Sequence, residues 1–231
     1  MITLVGVGHV FDIKDQVRRV ITERLPSVVC VELDRARFYA LMSGTTGRAG
    51  GTLPYNALAF FQKWIARKYG TDVGQEMVAA VSSAREIGAD VAFIDMEATD
   101  VFQRFWRGMS FKERVKMFVA LISSLFVRKK TIDREIRRFE ENNETYLEAF
   151  GEEFPSIKRI LIDDRNTHMA RAIEKISETH MNIVAVIGDG HIEGVRDLLG
   201  DREVDVVRLR ELRSESSTNS VTFSFSIEDD S

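Results

Sequence analysis

Two copies of Gly-x-x-His, Gly6-Val7-Gly8-His9 and Gly188-Asp189-Gly190-His191, each follow an apolar run, and they lie near opposite ends of the chain. Glu32 and Asp95 also follow apolar runs directly. An imidazole moves protons near neutral pH and binds divalent ions, and a carboxylate serves as ligand or as general base. Two imidazoles with one or two carboxylates on a shared rim would make a divalent-metal site with open coordination positions. A glycine at the head of each motif lets the chain turn sharply and lets a ligand approach the backbone. Taken singly, a histidine at a strand end would do no more than hydrogen-bond a neighbouring loop. Arg165, in Asp163-Asp164-Arg165-Asn166, would form a surface salt bridge or point its guanidinium at a carboxylate or a developing oxyanion. His168 and His180, read as lying on one helix, are expected to be solvated or capping residues.

The elements that must position these groups read as strands alternating with helices. Residues 3–5, 28–33, 90–94, 183–187 and 205–209 are short apolar runs of the kind that form buried parallel strands. Helical periodicity falls in 12–25, 34–42, 55–69, 73–87 and 154–179, with a short helix at 191–199. The expected fold class is therefore α/β, a mostly parallel central sheet flanked by helices. Right-handed crossovers bring strand ends to one carboxyl edge, where ligands bind in open sheets, so His9 and Glu32 should reach the same rim. Residues 99–150 are helical throughout, begin a capping box at Ser110-Phe111-Lys112-Glu113, and form a long helical insertion or cap. The glycine-rich stretch 43–52 reads as a loop that gates access. One domain is expected over 1–213, followed by a polar tail or added edge strand over 214–231, where 221–227 alternate at period two.

Composition excludes several classes. With 231 residues and 44% hydrophobic content the chain can bury a full core. A net charge of −4, with basic residues interspersed among acids, argues against a nucleic-acid partner. The single cysteine, Cys30, lies inside the apolar run Val28-Val29-Cys30-Val31, so no disulfide within the chain forms; a buried thiol and a cytoplasmic location are expected. The apolar stretch 117–127 is shorter than a membrane span and reads as a buried or amphipathic helix, with membrane-surface association the lesser expectation. The stretch 43–52 lacks the Gly-Lys-Ser/Thr ending of a P-loop, and Gly6 and Gly8 have no third glycine at Rossmann spacing. No Gly-x-Ser-x-Gly elbow or His-Glu-x-x-His is present.

An ordered series of motifs goes further. Val5-Gly6-Val7-Gly8-His9-Val10, then Val28-Val29-Cys30-Val31-Glu32-Leu33-Asp34 with Arg37, then Gly74-Gln75-Glu76-Met77 leading to Ala84-Arg85-Glu86-Ile87-Gly88-Ala89, come first. Phe105-Trp106 with Ser110-Phe111, Phe154-Pro155-Ser156, Asp164-Arg165-Asn166 with Met169, and Val184-Ala185-Val186-Ile187-Gly188-Asp189-Gly190-His191 follow. Over about residues 1–210 the chain resembles the TraB family, the bacterial pheromone-shutdown proteins and their archaeal relatives, of the same broad superfamily as Tiki proteases and erythromycin esterases.

The resemblance implies an erythromycin esterase/ChaN-like fold and a metal-dependent hydrolase, most naturally a peptidase of Tiki type. Carried onto this sequence, His9, His191 and Glu32 hold a divalent ion (Mn, Co or Zn), Glu32 or Asp95 takes the proton of the attacking water, and Arg165 stabilises the oxyanion. It also allows a metal-independent esterase with a His9/Glu32 general-base pair. A non-catalytic protein that sequesters a short peptide on the same rim is the third reading. A peptide or other small substrate is the expected partner, and a homo-oligomer is a further expectation. Relatives that continue into a hydrophobic C-terminal region extend the expectation to membrane association.

Overall fold

The computed structural model describes residues 1–8, 11–43, 74–124, 151–152 and 154–219. The five apolar runs are strands β1 (Ile2–Val7), β2 (Val28–Val31), β3 (Asp90–Phe93), β4 (Ile183–Gly188) and β5 (Val204–Val207). They form one sheet in the order β3-β2-β4-β1-β5, and every pairing is parallel. Strand β4 enters between β1 and β2, so Glu32 at the end of β2 neighbours the strand that carries His191, not the one that carries His9.

The helices, in chain order, are α1 (Lys14–Arg24), α2 (Arg35–Met42), α3 (Gln75–Glu86), α4 (Ala98–Gly108), α5 (Phe111–Ser124), α6 (Pro155–Lys158), α7 (Asp164–Ser177), α8 (Ile192–Leu199) and α9 (Leu209–Asn219). Side-chain alternation along the strands divides them between two cores. Val5, Val7, Val29, Val31, Val184 and Val186 pack on one face against α1, α2, α3 and α9, through residues such as Ile21, Phe38, Met77 and Leu212. Ile2, Leu4, Val28, Cys30, Ile183, Ala185 and Ile187 pack on the other against α7 and α8, through Met169, Ile173, Ile192 and Val195. Because both faces are covered, the central strands are apolar at nearly every position.

Two segments depart from the expected boundaries. The chain after residue 213 is not simply a polar tail, because α9 runs on to Asn219. Its buried Leu209 and Leu212 fix the first turn, and propagation through the serines that follow adds one hydrogen bond per residue. His180 lies beyond the end of α7, and its Nε2 donates across to Asp90 Oδ2 at 3.2 Å. The expected helix 55–69, the loop 43–52 beyond Ser43, and the alternating run 221–227 lie outside the described residues, as does 125–150 of the helical insertion.

Within that insertion the capping box at the start of α5 is formed. Ser110 N–H donates to Glu113 Oε2 at 2.8 Å, and Glu113 N–H donates to Ser110 Oγ at 3.3 Å. Glu113 Oε1 also accepts from Ser156 N–H at 2.9 Å, tying α5 to α6. Burial acts to raise the Glu113 pKa, but the donors on Ser110 and Ser156 outweigh it and hold it down to about 2.

Candidate functional site

Parallel pairing of β2 with β4 places Val31 opposite Val186 and delivers Glu32 to the edge where β4 ends. Gly188 N–H donates to Glu32 Oε2 at 2.5 Å, and a Cβ on Gly188 would lie 3.3 Å from that oxygen. The glycine that heads the second Gly-x-x-His therefore lets a carboxylate rest on the backbone. Asp189–His191 form a single 3₁₀ turn, which drops the His191 ring beside Glu32 with Nε2 3.5 Å from Oε1.

Arg165 enters from the opposite side, on the first turn of α7. A π-helical turn, Arg159–Asp163, precedes it, a feature common at functional sites. All of its guanidinium N–H groups are engaged. Nε donates to Asp95 Oδ1 at 2.9 Å and Nη2 to Asp95 Oδ2 at 2.8 Å and to Glu32 Oε1, while Nη1 donates to the Leu161 carbonyl at 3.3 Å and to His191 Nε2 at 3.1 Å. Arginine offers donors only, so His191 Nε2 is the acceptor and its ring is neutral in this arrangement. The remaining ring nitrogen, Nδ1, donates to Asn166 Oδ1 at 2.6 Å. Asn166 is buried, and a Cβ at Gly194 would fall 2.1 Å from its Nδ2, so α8 must present a glycine there.

Asp95, just after β3, is gripped from two sides, because Arg37 also donates to its Oδ2. Arg37 is in turn fixed by Nε on Asp34 Oδ2 at 2.7 Å, and Asp34 Oδ1 caps α2 through Arg37 N–H at 2.8 Å. Asp34 also accepts from Ala98 N–H at 3.2 Å, which fastens the start of α4 to the same cluster. The chain of contacts runs from Asp34 through Arg37, Asp95, Arg165 and Glu32 or His191 to Asn166.

Both buried carboxylates stay ionised. Burial acts to raise the Glu32 pKa, but the positive charges of His191, when protonated, and of Arg165, with the Gly188 N–H, hold it below the ordinary value. Burial likewise raises Asp95, and the hydrogen bonds and charge of Arg165 with the charge of Arg37 lower it further than burial lifts it. Against the loss of hydration that works to lower it, the same carboxylates raise the Arg165 pKa and keep it charged. Burial pushes the Cys30 thiol up to about 12, so it is an inert core group.

Of the residues singled out from sequence, Glu32, Asp95, Arg165 and His191 form one cluster, and His9 lies outside the described residues. Asp95 is placed to position Arg165, since both of its oxygens are taken by guanidinium groups. Arg37 and Asn166 were visible in the motifs without a role, and what reveals one is their contact with Asp95 and with His191. The 3.5 Å between His191 Nε2 and Glu32 Oε1 suits two ligands of one ion, but Arg165 already bridges both atoms. No group of three or more His, Cys, Asp or Glu side chains with ion-binding spacing occurs among the described residues. As arranged, the described donors do not fit a cation beside the guanidinium. No described helix is long and apolar enough to cross a membrane.

The chain is 28% identical to an uncharacterized protein of Methanocaldococcus jannaschii, in a match covering 98% of this chain and 62% of the relative. It thus spans about 62% of that relative's length. Among solved structures it matches ChaN of Campylobacter jejuni, described in terms of cofacial heme binding, at 11% identity and a TM-score of 0.38 over 90% of this chain and 80% of the other. The TraB/PrgY/gumN family model matches residues 1–208, which include Glu32, Asp95, Arg165 and His191. The chain belongs to the TraB/PrgY/gumN family.

Proposed function

We propose that the chain is a hydrolase of acyl bonds, with a peptide as the first substrate class, and that Glu32, Arg165 and His191 carry the chemistry. The observation that supports this most is the contact from Arg165 Nη1 to His191 Nε2. While the imidazole is neutral, Nε2 accepts that N–H. For the ring to take a proton from an attacking water, Nη1 first leaves the single Nε2 lone pair; once protonated, Nε2 is a donor and cannot take Nη1 back. The released N–H is then available to the oxyanion formed in the same step, as stabilisation of developing charge requires. Glu32, ionised and 3.5 Å away, stabilises the imidazolium, and Asn166 holds the ring by its other nitrogen. Glu32 Oε1 and Oε2 accept from Arg165 Nη2 and the Gly188 N–H whatever the charge of the ring, which holds the carboxylate as a partner of the imidazolium and favours His191 as the proton acceptor.

A divalent ion would need His191 Nε2 and Glu32 Oε1, the two atoms that Arg165 holds, so none of these steps passes through one. A metal centre completed by His9 is the rival outcome. The first test is incubation with a panel of peptides and simple esters followed by mass spectrometry, with His191→Ala alongside. Cleavage by the wild type that the variant loses is expected. Substrates bound with unchanged masses would instead mean a sequestering protein.

A further inference from the structure

The groove beside α4 and the π-helical turn has a charge imbalance that the catalytic cluster does not use. Arg104, Arg107 and Arg159 line it together with Gly108, Ile160 and Asp164, around a volume of about 450 Å³. Asp164 is the one acidic side chain among the described residues of the lining, and it sits 3.8 Å from Arg104. No ion pair joins Arg107 or Arg159 to a carboxylate among the described residues. Among the described residues, three guanidinium groups around one carboxylate leave a surplus of positive charge in a concave surface, where an oxyanion would be held by several donors at once.

Two features build this convergence. A Cβ at Gly108 would lie 2.5 Å from Ile160 Cδ1, so glycine at the end of α4 permits close packing against the π-helical turn. That turn carries Arg159 toward Gly108, with Arg159 Nη2 3.9 Å from the same point. The groove also adjoins the catalytic arginine. Asp164 precedes Arg165, and the Leu161 carbonyl that receives Arg165 Nη1 follows Ile160 in the same turn.

We infer that this groove is a subsite for a carboxylate of the substrate, binding an acidic side chain or a free C-terminus while the neighbouring bond lies at Arg165. The inference rests on the proposed hydrolase site for the identity of its ligand, but binding can be read without turnover. The test is calorimetric titration at low salt with tetraglutamate, with C-terminally amidated tetraglutamine, and with inorganic phosphate, against wild type, R107Q, R159Q and the double variant. Each variant's fold is checked by circular dichroism.

Tetraglutamate should bind in preference to the amide, and the double variant should weaken it about tenfold or more, as loss of charge-assisted hydrogen bonds implies. Hydrolysis of a neutral ester should be unchanged in the same variant. Equal binding of the two peptides, no binding, or no loss in the double variant overturns the subsite, and so does tighter binding of phosphate than of peptide. If carboxylate binding behaves as expected while no substrate is ever cleaved, the hydrolase reading fails and the anion site stands.

Discussion

The carboxyl edge of the sheet holds two acid–arginine clusters, each built against the leading glycine of a Gly-x-x-His. At Gly188 the acid is Glu32 and the guanidinium Arg165. At Gly6 the acid is Asp189, whose Oδ1 would lie 2.2 Å from a Cβ placed there. Its guanidinium is Arg208, donating from Nε at 3.0 Å and from Nη2 at 2.9 Å. Asp189 Oδ1 also accepts from Leu209 N–H at 2.9 Å, and Arg208 reaches on to Glu193 at 2.6 Å. The second cluster thus ties β1, the turn after β4 and the start of α9 together. The first has an imidazole, His191, against its arginine, and among the described residues the second has none. The same glycine-and-carboxylate construction ties elements together in one place and, on the proposed function, handles a proton in the other.

The sharpest way to break that contrast is Arg165→Lys. A lysine cannot make the paired contact to Asp95 while also reaching Glu32 and His191, and turnover should fall by about a hundredfold or more with folding retained. Comparison of kcat at matched folded fraction checks it. In the other cluster, Asp189→Ala should cost about 2–3 kcal/mol of stability in urea titration, since it removes both Asp189 contacts from a mostly buried arginine and the acceptor of the Leu209 N–H.

Gly6→Ala should cost about 1–3 kcal/mol, because the methyl group meets Asp189 head on. Gly188→Ala, at 3.3 Å from Glu32 Oε2, should cost less stability than Gly6→Ala and lower turnover more. Equal effects of the two alanines on turnover would remove the contrast. The smallest effect is on pH dependence. The lowered pKa values of Glu32 and Asp95 contribute stability that is fully present above about pH 4–5 and is lost as pH falls through their folded values. Urea midpoints should fall with acidification below that range, and Asp95→Asn should flatten the fall.

Much of this was legible in the sequence because period and position carry it. Strands buried on both faces betray themselves as continuous apolar runs, and a residue following such a run must reach the carboxyl edge, which brought Glu32, Asp95 and His191 to one rim. The order of strands was not legible, since nothing local states that β4 inserts between β1 and β2. For the same reason Glu32 pairs with the second motif, and Asp189 with the first. Roles set by contact were hidden as well. Asp95 reads from sequence as a free carboxylate, and only the two guanidinium groups on its oxygens make it a positioning residue. Helix α9 was not legible either, because a serine-rich composition hides the two buried leucines that anchor its first turns.

The central claim is that His191 takes the proton and frees Arg165, with no metal in the path. Turnover of exhaustively chelated protein, wild type beside His191→Ala, tests it most directly. The wild type should keep its activity after chelation, and the variant should lose about a hundredfold or more, the usual contribution of a general base. Loss of wild-type activity on chelation, restored by Mn, Co or Zn, would contradict it.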